Sequence, residues 1–390
     1  MCLRKEGDFV RQIQRVAVTV LVLCVPGCIA EQAVPASSNQ PVSTYVDPSP
    51  HRVEMVTVEA DVQLEVLDWG GNGRPVVLLA GSGNTAHIYD EFAPELAKYY
   101  HVYGITRRGS GASSSPSKGY SVDRQGEDIL AVLEALKITR PVLVGHSFAG
   151  QEVSWIATKH QDKIAGAAYL DAAYGYAFYD ASVGELAFDL PDLQKKLEQF
   201  SASRWNVQLI DDLLKDLPSF ERELLREKKH LELLKQVPAD QGRRSSADMA
   251  SVAALQAWYA KNMIGGNPPE AELRQSFEIN PDGSVGNPRP HPSISPEDAR
   301  WQKFTGLGVP VLAIFACPVD YGPSIDSHPD LREKIDAYNS EDCEARAKAL
   351  QKNLPSAHVL LWPHAYHYLF ITKPSDTLTE LQHFVDNLPQ

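Results

Sequence analysis

Three short, largely apolar runs, Val76 to Ala80, Val102 to Thr106 and Val142 to Val144, constrain this chain most. Each is shorter than an ordinary helix and each leads into a glycine-rich turn. A strand with one wet face alternates apolar and polar residues, whereas a continuous apolar run reads as a strand covered on both faces, as in a parallel sheet. Between the last two runs, Asp123 to Leu136 places Ile129, Val132, Leu133 and Leu136 at helical spacing. A further strand, Ala165 to Leu170, ends at Asp171, and Val53 to Ala60 with Val62 to Leu67 reads as a hairpin at a sheet edge. The alternation predicts an α/β fold with a mostly parallel central sheet flanked by helices.

The alternation stops near Tyr174. Helical stretches at Leu190 to Phe200, Val207 to Leu217, Phe220 to Leu234 and Ala247 to Lys261, and the turn-rich INPDGSVGNPRPHP, occupy the chain to about residue 300 without a comparable strand. Strand and helix resume at Val309 to Ala316, Ala357 to Trp362 and Asp376 to Leu388. We therefore expect a core in two parts, 53–174 and 301–390, with a helical cap inserted at 175–300. Ahead of it, Arg4, Lys5, Arg11 and Arg15 precede the apolar run Val16 to Val25, the order of a secretory signal spanning 1–27. That run is about ten residues, short of the roughly 17 to 25 a spanning helix needs. Val25-Pro26-Gly27-Cys28 resembles a bacterial lipobox, which would put a lipid anchor on Cys28; ordinary cleavage after Ala30 is the alternative. Residues 28–52, rich in Pro and Ser, read as a flexible tether. Export to the periplasm or cell envelope is the expectation. In that compartment Cys317 and Cys343 are either one disulfide or two buried thiols, since spacing alone does not decide. With 50 acidic against 37 basic residues, a formal charge of −13, a broad nucleic-acid footprint is excluded and small uncharged substrates are favoured.

The chemistry concentrates in Pro141 to Gly150, PVLVGHSFAG, a strand running into a sharp turn and a helix. A hydroxyl at that turn, Ser147, stands clear of the sheet above a helix N-terminus, which favours developing negative charge. Such a hydroxyl needs a base, and the base a carboxylate. In PHAYHYLF, His367 sits where a loop enters an apolar segment, with His364 as competitor. HxxH has no third ligand spaced nearby, so no metal is expected. The carboxylate should follow a strand end between Ser and His; Asp320 is the choice over Asp326 and Asp171, whose alternative role is capping the loop backbone. An oxyanion needs two backbone N–H donors, assigned to Phe148 and to Ser82 in AGSGNT. No cofactor is expected.

The chain resembles the α/β-hydrolases. LLAGSGNTAHIYDEFAPEL resembles their oxyanion loop and helix, YGITRRGSGASS their R-G-x-G-x-S stretch, GHSFAG their nucleophile elbow and AYHYLFITKP their histidine loop. Ala80 and Thr106 depart from the His and Asp frequent at those places. The resemblance implies a serine hydrolase cleaving small-molecule carboxylic esters through an acyl-enzyme; a lactonase, amidase, acyltransferase or non-catalytic binding member are the alternatives. Serine at the elbow argues against epoxide hydrolases and dehalogenases of this fold, which use aspartate.

Overall fold

The computed structural model describes residues 45–202, 206–237, 244–262, 266–289, 302–326 and 328–389. The expected signal segment 1–27, Cys28 and the tether up to residue 44 lie outside the described residues. Ten strands are present among the described residues: β1 (Arg52–Glu59), β2 (Val62–Gly70), β3 (Pro75–Leu79), β4 (His101–Ile105), β5 (Val142–His146), β6 (Gly166–Leu170), β7 (Phe277–Ile279), β8 (Val285–Pro288), β9 (Val311–Ala316) and β10 (His358–Trp362). Eight of them form one sheet in the order β1-β2-β4-β3-β5-β6-β9-β10, antiparallel at β1-β2 and β2-β4 and parallel elsewhere.

The apolar runs are continuous because both faces of the sheet are buried. Along β3, Val77 and Leu79 join one hydrophobic cluster while Val76 and Leu78 join the other; in β5, Leu143 faces the first and Val142 and Val144 the second. Helix α1 (Val122–Ala135) lays Ile129, Val132 and Leu133 into the first cluster, as their spacing predicts, and Ser121 caps it by accepting from the Arg124 amide. Helix α2 (Gly150–Lys159) follows the elbow, and Ala149, Val153 and Ile156 bury against the same face.

The described part of 181–234 is a compact unit of its own, distinct from the rest. It holds α3 (Leu186–Ala202) and α4 (Val207–Leu234), the latter continuous through Pro218 where the sequence suggested two helices. Within it Glu223 is pushed up to about 8, by burial first and then by the charge of Asp189. In the larger unit, α5 (Val252–Asn262) and α6 (Glu270–Ser276) precede an antiparallel β7-β8 hairpin inside the turn-rich stretch where no strand was expected. Asn280 to Ser284 make its turn, with Gly283 at φ +84°. Helix α7 (Pro329–Asn353) joins β9 to β10, and α8 (Pro374–Asp386) packs Leu381, Phe384 and Val385 into the second cluster.

Cys317 and Cys343 are joined as a disulfide, Cα atoms 5.9 Å apart, which resolves the choice the spacing left open and ties the end of β9 to α7. The last residues of the expected tether are packed rather than loose: Trp69 Nε1 donates to Ser49 Oγ, which donates to the Asp90 carbonyl. No described helix is long and apolar enough to cross a membrane.

Candidate active site

Parallel strands deliver their C-terminal ends to one edge of the sheet, and functional side chains of such folds gather there. Ser147 stands immediately after β5 with φ +52°, in the left-handed region that L residues rarely adopt. Close packing enforces the bend. A Cβ added at Gly145 would sit 2.8 Å from Val153 Cγ2, and one at Gly150 would sit 2.1 Å from the Ala172 carbonyl, so both positions need glycine. Strain held at a buried hydroxyl by its surroundings is a mark of function.

Neighbouring β6 pairs with β5 so that Leu170 lies opposite His146. Asp171, one residue further, therefore emerges beside Ser147, also with positive φ, at +46°. Its carboxylate is buried and fully engaged. Oδ1 accepts from the Ala316 amide at 3.0 Å and from the Tyr174 hydroxyl at 2.7 Å, and Oδ2 lies 2.6 Å from His367 Nδ1. Burial, followed by the Asp171 charge, holds Tyr174 well above the usual tyrosine range, so it remains the donor in that contact.

This corrects the assignment of Asp320. Residues 317–320 continue alongside the histidine loop, with Cys317 N bonded to the Trp362 carbonyl, His364 N to the Pro318 carbonyl and Asp320 N to the Ala365 carbonyl. The Asp320 side chain turns to the Gly322 amide at 2.8 Å and Arg332 at 3.2 Å, and His367 is held by Asp171 instead. Asp326 pairs with the same arginine. His364 is exposed and lines a surface cavity with Pro318, Asp326 and Arg332, apart from Ser147.

His367 reaches the elbow through His146. The rings lie 4.5 Å apart between centroids, and His146 Nε2 is 3.2 Å from the His367 carbonyl. Burial, then the nearby His367, drives His146 well below the ordinary histidine range, so it stays neutral. Among the described residues Ser147 Oγ makes no direct hydrogen bond to the His367 ring; such bonds are often long in free enzymes and tighten around substrate.

The loop after β3 lies directly against Ser147. A Cβ at Gly81 would come 2.9 Å from Ser147 Cβ and 3.4 Å from Ser147 Oγ, so backbone, not side chain, faces the hydroxyl there. Ser82 is the next residue in that loop, and Phe148 follows Ser147 within the single turn of 147–149.

Three side chains clamp this loop, and the sequence singled out none of them. Arg107 donates to the Ala80 carbonyl at 3.0 Å and pairs with buried Glu152 of α2 at 3.0 Å. Tyr368 donates to Asn84 Oδ1, joining the histidine loop to the loop after β3. Glu272 of α6, wholly buried, accepts from Asn84 Nδ2 and from the Thr85 amide and hydroxyl. Arg107 lies in the RRGSG stretch and was findable there; Glu272 comes from a distant segment with no local motif. Thr106, where an Asp is frequent in the resemblance, donates to Glu65 of β2, so a carboxylate is present from another strand.

The α/β-hydrolase fold family matches residues 74–267. A non-heme chloroperoxidase of Streptomyces lividans is 33% identical over 120 residues, 30% of this chain and 44% of that protein. Epoxide hydrolase A of Mycobacterium tuberculosis is 37% identical over 114 residues, 28% of this chain and 35% of its own length. The chain thus spans less than half the length of these curated relatives. Among solved structures, E-2-(acetamidomethylene)succinate hydrolase superposes with TM-score 0.51 at 16% identity, covering 86% of this chain and 99% of that one, a likeness of fold.

Proposed function

Because the chain belongs to the α/β-hydrolase fold family, we propose that it is an exported serine hydrolase that cleaves carboxylic esters of small uncharged substrates through an acyl-enzyme. The observation that carries this reading is the pairing of a strained, buried Ser147 at the end of β5 with a His367 ring fixed by Asp171 at the end of β6. Asp171 Oδ2 accepts a hydrogen bond from His367 Nδ1–H, which leaves the Nε2 lone pair for the serine hydroxyl. Ser147 Oγ gives its own proton to His367 Nε2 and bonds to the ester carbonyl carbon. The amides of Phe148 and Ser82 hold the resulting oxyanion, each worth roughly 2.7 to 4 kcal/mol of barrier. Collapse expels the alcohol, which takes the proton from His367. Water then enters, gives a proton to His367, attacks the acyl carbon and releases the acid with Ser147 restored. No metal or organic cofactor takes part in these steps.

A hydroxyl nucleophile at position 147 favours an acyl-enzyme over the alkyl-enzyme ester that a carboxylate nucleophile forms, and the disulfide suits an oxidising compartment, which supports export. Ser147→Ala is expected to abolish turnover of short p-nitrophenyl esters and covalent labelling by a fluorophosphonate while the far-UV spectrum is unchanged. Turnover retained by that variant sinks the proposal.

A further inference from the structure

A second cluster of titratable groups is buried where the segment before β1 meets the turn at Ala86–Tyr89. The side chains of His51, His87 and Asp90 are 3%, 6% and 4% exposed, and Asp47 closes the cluster at 22%. One ligating atom from each of the four lies within 4.8 Å of all the others. His87 Nδ1 is 2.8 Å from Asp90 Oδ2 and 3.1 Å from Asp47 Oδ2, and His51 Nδ1 is 3.2 Å from Asp90 Oδ1.

Hydrogen bonding does not account for these atoms. Asp47 Oδ2, Asp90 Oδ1 and His51 Nδ1 are all buried and none makes a well-formed hydrogen bond; they meet only ion-pair contacts within the cluster, His51 Nδ1 with Asp90 Oδ1 and Asp47 Oδ2 with His87 Nδ1. Their spacing fits a shared ion. A tetrahedral zinc with bonds of about 2.0 to 2.1 Å sets its ligands about 3.4 Å apart. The contacts of 2.8 to 3.2 Å are slightly tighter than that edge and the widest separation, within 4.8 Å, is looser, so small rotations of side chains bring the four atoms to it.

The surroundings suit a metal-bound imidazole. His87 Nε2 lies 3.5 Å from Glu65 Oε1, and Glu65 is itself held by Thr106 and Gln275. A carboxylate behind one ring nitrogen fixes the tautomer that turns the other to a metal. Charge points the same way: Asp47, Asp90 and Glu65 bring three carboxylates to two histidines. A divalent cation offsets two of these charges.

We propose that Asp47, His51, His87 and Asp90 form a four-ligand site for a divalent transition-metal ion, zinc by its donor set. Four protein ligands leave no open position, so the role is structural. The ion clips residues 47–51 to the turn that follows the loop flanking Ser147.

Full-length protein, stripped with chelator and dialysed, is titrated with Zn²⁺ and separately with Co²⁺. One equivalent of Zn²⁺ per chain, a raised melting temperature on loading and the intense visible bands of tetrahedral Co²⁺ are expected. His51→Gln is expected to lose the stoichiometric site and the Co²⁺ bands, with Asp47→Asn as the second variant should His51→Gln not fold. Glu65→Gln is expected to weaken binding about 10- to 100-fold. Absence of binding by the unaltered chain overturns the proposal, as does binding that survives both ligand substitutions.

Discussion

Ser147 and Asp171, twenty-four positions apart in sequence, both stand at the exit of a parallel strand with positive φ, and the register of β5 on β6 makes them neighbours. The two candidate carboxylates make different predictions. Asp171→Asn removes the acceptor that sets the His367 tautomer and is expected to lower kcat on p-nitrophenyl esters by about 10⁴-fold, the size seen when a triad aspartate is so changed. Asp320→Asn is expected to stay within a few-fold of the parent, since that side chain serves Gly322 and Arg332. Equal losses in both variants contradict the geometry. Ser147 and His367 were legible because each sits in a local pattern: an elbow between strand and helix, and a loop entering an apolar segment. The acid was not. Asp171 and Asp320 both follow strands and both fall between the serine and the histidine, and the choice depends on which strand neighbours β5 and where a side chain turns.

At the scale of elements, the apolar runs revealed β3, β4 and β5 because strands buried on both faces need no alternation. The β7-β8 hairpin escaped notice because its strands are three and four residues long and lie in a stretch dominated by turn formers. Helix α4 carries a titration of its own. An acid whose folded pKa lies above its unfolded value contributes stability that is present below the unfolded value and lost as pH rises through the folded one. For Glu223 that window runs from about 4.5 to about 8. Thermal midpoints are accordingly expected to fall as pH rises across it, and Glu223→Gln to flatten the fall; parallel profiles for the two proteins exclude Glu223 as the cause.

For the whole molecule, the sequence conveyed the order of layers and left open how distant segments are fastened. The disulfide is one such fastening. It closes a 26-residue separation between β9 and α7, and loss of a bridge of this kind costs typically about 2 to 4 kcal/mol. Reduction is expected to lower the urea midpoint with ester hydrolysis retained below the transition; an unchanged midpoint shows that the bridge constrains little.

That same bond keeps a record of the chain's history. A molecule that matured among oxidants reaches the mass spectrometer with Cys317 and Cys343 resistant to alkylation, while one trapped beside glutathione carries two added labels. Under the proposed export, a single peptide measurement on whole cells thus tells travelled molecules from stranded ones.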